Sequence, residues 1–148
     1  MRTTMKTVLS AMAVTAGLAA AIAPPTAAVA APAPQGGYVA TIQMVTDDTG
    51  VPNGEVFRVQ LVERQDIRDA FEVLRGRSNA HVNGKIVRTP SPYNPGYNWH
   101  LDPNDVDFAH ISIELCDGQP SFLSEDWWGS ERFCPWQGKV VKMERVRR

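Results

Sequence analysis

The sequence has little of three things that would narrow its function. Cysteine occurs only twice, at Cys116 and Cys134. Two thiols at that spacing supply too few ligands for a zinc site, and no Cys-x-x-Cys redox motif is present. Positive charge is in no excess, with 15 Lys and Arg against 16 Asp and Glu, so the electrostatic footprint of a nucleic-acid binder is missing. Long apolar runs are missing too. The longest, alanine-rich from Thr7 to Ile22, covers about 16 residues, short of the roughly 20 that cross a bilayer. No internal repeat breaks the chain into units.

What is there begins with an export leader. Arg2 and Lys6 precede that apolar run, and Pro24, Pro25 and the small-residue string Ala28-Val29-Ala30 follow it. Positive, apolar, then small-x-small is the layout signal peptidase requires, so residues 1–30 are expected to be a secretory signal peptide and the product to be extracellular. Residues 31–37, with Pro32, Pro34, Gly36 and Gly37, read as a flexible leader. Cleavage after Ala30 leaves 118 of the 148 residues, enough for one domain with a modest core, expected over 38–148. Because Arg2 and Lys6 go with the leader, 13 basic residues face 16 acidic ones, a formal charge of −3. In an oxidising compartment Cys116 and Cys134 are expected to form a disulfide.

The domain reads as α+β. Tyr38–Val45 and Val56–Leu61 alternate apolar and polar residues and predict a hairpin across the turn-rich Asp47–Gly54. Asp66 is placed as the cap of a helix whose Ile67, Ala70, Phe71 and Leu74 share one face and which Gly76 ends. Asn83-Gly84 suggests a turn and Lys85–Arg88 a short strand. Pro90, Pro92 and Pro95 mark a surface loop. Alternation from Asp107 to Cys116 predicts a strand with Ala109, Ile111, Ile113 and Leu115 facing the core, and Gly138–Glu144 predicts the last strand. The sum is about five strands in a largely antiparallel sheet, one helix and one disulfide.

Three strings carry candidate chemistry. In Trp99-His100-Leu101-Asp102, an extended backbone puts His100 and Asp102 on one face, where they could serve as half a metal site or as a general base. No nucleophile accompanies them, since Ser112 and Ser121 lack an elbow context. The plainer reading has Trp99 in the core, His100 in a structural hydrogen bond, and Asp102-Pro103 opening a turn. Asp102, Asn104, Asp105 and Asp107 cluster oxygens, but an EF-hand needs glycine sixth and glutamate twelfth, where this chain has Asp107 and Ile113. Trp127, Trp128 and Trp136, with Phe122 and Phe133, gather in or beside the disulfide loop, as a binding platform or as the lid of a small core.

The strings Trp99-His100-Leu101-Asp102-Pro103, Ile113-Glu114-Leu115-Cys116-Asp117-Gly118-Gln119-Pro120-Ser121 and Phe133-Cys134-Pro135-Trp136 resemble a known family, as do Phe57-Arg58-Val59 and Lys85-Ile86-Val87. It comprises small secreted proteins, mostly bacterial, that share a domain with the N-terminal part of a eukaryotic calmodulin-binding protein. The resemblance covers nearly the whole exported chain. It implies no enzymatic activity, and an alanine-rich leader on a single domain does not suit calmodulin as partner.

The sequence therefore points to a secreted, non-enzymatic binding module without cofactor or metal. Its candidate contacts are Trp99, His100, Asp102, Trp127 and Trp128, and its partner an extracellular protein or a carbohydrate. The alternative is a protease inhibitor presenting the proline-rich loop around Arg88, since restricted φ angles lower the entropy lost on binding.

Overall fold

The computed structural model describes residues 37–146. The expected signal peptide, leader residues 31–36, and Arg147 and Arg148 lie outside the described residues. The elements are β1 (Tyr38–Met44), β2 (Val56–Leu61), α1 (Arg64–Leu74), β3 (His81–Val87), β4 (His100–Ala109), β5 (Arg132–Phe133) and β6 (Gly138–Arg145). Single 3-10 turns at Glu114–Cys116 and Pro120–Ser124 lie between β4 and β5.

β1 and β2 form the expected antiparallel hairpin, with Tyr38 opposite Leu61 and Gln43 opposite Val56. Alternation is the cause, because Ala40, Ile42 and Met44 of β1 and Phe57, Val59 and Leu61 of β2 all enter one core. β6 pairs antiparallel with the other edge of β1, and its register slips between Thr41 and Ile42, leaving Val141 bulged and exposed.

The α+β class stands, but the strands among the described residues number six and divide into two three-stranded sheets, β2-β1-β6 and β4-β3-β5. The difference begins at Asn83-Gly84, which is the middle of β3 and not a turn. Leu101 and Val106 of β4 pack over Gly84 so closely that an added Cβ would stand 3.0 Å from Leu101 Cδ1 and 3.2 Å from Val106 Cγ2. This glycine lets two strands approach where the sequence suggested a reversal. Opposite it, Gly84 pairs with Val106 and Ile86 with Leu101, so residues 102–105 bulge from β4. The Asn104 amide donates to Asp102 Oδ1 at 2.9 Å there, and the turn expected at Asp102-Pro103 survives as this bulge inside a strand.

The strand expected over Asp107–Cys116 stops at Ala109. Its partner β3 begins at His81, opposite Ala109, so beyond that pair no ladder remains to continue. The supposed inner face points outward instead: Ile111 is 89% exposed, Ile113 66% and Leu115 70%. Alternation alone could not report that the neighbouring strand had run out.

α1 packs against β6 and β4 with Ala70 and Val73 buried and Ile67 and Leu74 partly so. Phe71 lies at the stripe's edge, its ring edge-on to Tyr38 at 5.3 Å. The helix ends as expected: Arg77 N–H donates to Glu72 O at 2.9 Å and Gly76 N–H to Val73 O at 3.0 Å, with Gly76 at φ +69°. Its start corrects the sequence reading. The helix begins at Arg64, and Asp66 lies inside the first turn with no capping bond, 8% exposed.

Burial raises the Asp66 carboxyl from its ordinary 3.8 to about 6, with repulsion from Asp107, Asp69 and Glu63 adding to it. The protonated form is thus the one the fold favours. Its stabilising effect is complete below pH 3.8 and is lost as pH rises through about 6. Asp66→Asn is expected to raise stability at pH 8 by roughly 1–2 kcal/mol, allowing for water at the helix end, and to change little at pH 4. Urea unfolding at the two pH values measures the difference. An equal effect at both would contradict the assignment.

Candidate functional site

The loop between the two cysteines is held at its base and across its middle. Cys116 and Cys134 form the expected disulfide, and the Cys134 amide donates to Cys116 O at 2.7 Å. Inside it, Pro120 starts a 3-10 turn that buries Leu123 and leaves Phe122 partly outside. Other elements grip this turn from outside the loop. Glu55 accepts from Ser121 N–H at 2.8 Å and from Ser121 Oγ at 2.7 Å. Ser124 Oγ donates to Asn98 Oδ1 at 3.1 Å. Arg88, just past β3, donates from Nη1 to Leu123 O at 2.8 Å and from Nη2 to Trp128 O at 3.4 Å.

The aromatic residues run as a connected series from surface to core. Phe122 meets Trp127 at 5.3 Å between ring centroids, Trp127 meets Trp128 at 6.1 Å, and Trp128 stands edge-on to Phe133 at 5.9 Å. Phe133 continues to Trp99 at 5.6 Å and to Phe57 at 5.4 Å. The two adjacent tryptophans therefore differ in kind: Trp128 is 8% exposed and belongs to the core, whereas Trp127 is 64% exposed. Trp127 is a wet ring mounted on a dry stack, which fixes its position at little entropic cost. The buried indole N–H groups of Trp99 and Trp128 have no hydrogen-bond partner among the described residues, and both rings are steeply inclined to Phe133.

Two shallow clefts flank the loop and share Arg88 and Trp128. One, of about 370 Å³, is lined chiefly by Asn98, Ser124, Glu125 and Asp126 besides the shared pair. The other, of about 350 Å³, adds Lys85, Ser130 and Glu131. Between them the guanidinium of Arg88 is already engaged with two carbonyls. The exposed carboxylates of Glu125 and Asp126 make no hydrogen bond or ion pair with the described residues. Arg88→Ala is expected to cost about 1 kcal/mol, through the lost carbonyl contacts, and to loosen residues 120–128. Amide hydrogen exchange should quicken there and nowhere in β1 or β2, and unchanged exchange in the loop would contradict the clamp.

The residues expected to make contacts do not come together as one site. Trp99 is fully buried and its carbonyl accepts from Asn94 Nδ2 at 3.1 Å. His100 is half-buried, with Nδ1 2.7 Å from Thr89 O, the structural hydrogen bond that the plainer reading gave it. Asp102 accepts from Asn104 in the β4 bulge, and Asp105 accepts from Arg132 Nη1 at 2.8 Å. Among the described residues, no three His, Cys, Asp or Glu side chains are placed to hold a metal ion. Trp127 and Trp128 stay neighbours, but only Trp127 meets solvent.

Sequence reasoning missed His81. It lies buried at the start of β3 with Nε2 2.8 Å from Ser112 Oγ. Burial holds its pKa below the ordinary imidazole value, so the neutral ring faces the hydroxyl. The pair ties the segment after β4 back to the sheet. Signals for it were absent because His81 and Ser112 lie far apart in the chain and neither belongs to a recognisable motif.

Residues 39–147 match the family model described as the BP-74 N-terminal domain. No curated protein matches the chain, and no solved structure does.

Proposed function

The chain belongs to the BP-74 N-terminal domain family, and from that premise we propose that it is an exported, non-enzymatic binding module whose contact surface is the disulfide loop around Trp127. The observation that carries this reading is the contrast within one dipeptide. Trp128 fills the core while Trp127, 64% exposed, is held out against the rings of Trp128 and Phe122. A large aromatic left in water yet rigidly mounted is the kind of residue that carries binding energy. The leader's layout and the Cys116–Cys134 disulfide support export.

The groups that catalysis would draw on serve the architecture. His100 is bonded to Thr89 O, Ser121 to Glu55, and Asp105 to Arg132. Inhibition of a protease through Arg88 is the weaker reading, because its guanidinium is turned onto the carbonyls of Leu123 and Trp128 and does not project.

Capture from culture medium and cell surface with the purified protein, run beside Trp127→Ala, tests the proposal. A partner retained by the parent and lost by the variant supports it. The same partner held equally by both would overturn it. Trp128 is unsuited as a control, since replacing it would damage the core.

A further inference from the structure

We propose that the segment from His110 to Glu114, which overhangs the start of β3, pairs antiparallel with the same segment of a second copy of the chain. The protein then self-associates through a two-fold strand contact in which Trp127 plays no part.

The backbone of this segment is built like a strand and lacks a neighbour. β4 is an edge strand in the order β4-β3-β5, and its last pairing is Ala109 with His81. Past that pair the chain stays extended, with Ile113 at φ −75° and ψ 145°, until Glu114 opens a 3-10 turn. Ile111 and Ile113 are exposed and Ser112 between them is half-buried. The cause is the bond to His81: Ser112 Oγ lies 2.8 Å from its Nε2, which turns the serine inward and the flanking isoleucines out. Ser112 N–H and C=O have no hydrogen-bond partner among the described residues. Free donors and acceptors on an extended apolar segment are a template for another strand. Two copies related by a two-fold axis at Ser112 exchange both of its bonds, as a hydrogen-bonded antiparallel pair does.

The side chains select the occupant. His110-Ile111-Ser112-Ile113-Glu114 has the same order of polarity read from either end. Paired about Ser112, Ile111 stands beside Ile113 of the second copy, and symmetry repeats that contact. His110 stands opposite Glu114 of the second copy, also twice, setting an imidazole against a carboxylate. Both side chains are exposed, and neither makes a hydrogen bond or ion pair among the described residues. A parallel pair would set His110 beside His110 and Glu114 beside Glu114. A slip of one residue would set Ile111 against Glu114 and Ser112 against Ile113, losing both matches. Charge and polarity therefore agree on one register, and the chain's own copy supplies it. Two such short segments bury far less than the roughly 1,200–2,000 Å² of a stable complex, so the association is weak and concentration-dependent.

Sedimentation velocity of the purified protein from about 1 μM to about 1 mM tests the proposal, with monomer expected at the low end and a Kd on the order of 100 μM. Ile111→Ser with Ile113→Ser, and separately Glu114→Lys, should each weaken association about tenfold. Urea unfolding should be unchanged in both, since these positions lie outside the core. Adding His110→Glu to Glu114→Lys is expected to restore the dimer, because it reverses both charge pairs and does nothing for a damaged fold. A monomer at every concentration overturns the proposal, even if the isoleucines bind some other protein. So does a dimer that persists in the isoleucine variant, or a loss in Glu114→Lys that His110→Glu does not repair.

Discussion

Trp99→Ala is expected to leave the domain at the edge of unfolding, while Trp127→Ala leaves it nearly as stable as the parent. Trp99 has no exposed surface and touches Phe57, Tyr97 and Phe133 with its ring. Truncating a buried aromatic of this size costs about 3–5 kcal/mol, from lost transfer energy and the cavity left behind. A small domain commonly has only about 5–15 kcal/mol in total. Trp127 keeps contacts with Phe122 and Trp128 but buries little, so its truncation should fall within about 0.5 kcal/mol of neutral. Urea unfolding followed by circular dichroism measures both. Comparable losses for the two variants would mean that Trp127 is part of the core.

Replacing Cys116 and Cys134 together by alanine is expected to cost about 3 kcal/mol. The bridge closes a loop across a sequence separation of 18, and the chain-entropy model gives roughly that value for a loop of this length. For a domain of this size the loss corresponds to a fall in Tm on the order of 10 °C. The packing around the bridge makes the effect local as well. Phe133 precedes Cys134 and carries the ring contacts to Trp99, Trp128 and Phe57, so slack at the disulfide reaches the base of the aromatic stack. Thermal unfolding with and without reductant gives the same comparison in the parent. A Tm that does not move on reduction would contradict a stabilising role.

Much of the fold was legible because its signals are local. The β1–β2 hairpin, the stripe of α1, its glycine end and the last strand follow from spacing within a few residues of each other. The disulfide followed from an even cysteine count and the expectation of an oxidising compartment. Failures came where the deciding partner lies far away in the chain. Asn83-Gly84 has turn chemistry, but β4 and β5 lie on either side of it and make it a strand. The alternation after Asp107 is real, yet β3 supplies no ladder past His81, so Ile111 and its fellows face water. Asp66 suited a cap by type, while the helix started earlier and drew it into the first turn.

The candidate site was half legible. Clustering of aromatics near the bridge was evident from the sequence. Which of two adjacent tryptophans is buried was not, because that depends on Phe133 from across the loop. His100 and Asp102 attracted notice as a chemically suggestive pair, and each proved to be engaged by its own loop, Thr89 O for one and Asn104 for the other. The hold of Arg88 on the loop joins residues 35 and 40 positions apart, beyond the reach of any local pattern.

The central claim is that contact is made through Trp127 while the tryptophans beneath it stay in the core. Its most direct test is fluorine NMR of the protein labelled with 5-fluorotryptophan, each resonance assigned by single Trp→Phe variants, during titration with the captured partner. Movement or broadening of the Trp127 signal beyond that of its neighbour Trp128, with that of the buried Trp99 unmoved, is the expected result. A Trp127 signal that stays in place while the ligand saturates the protein would contradict the account.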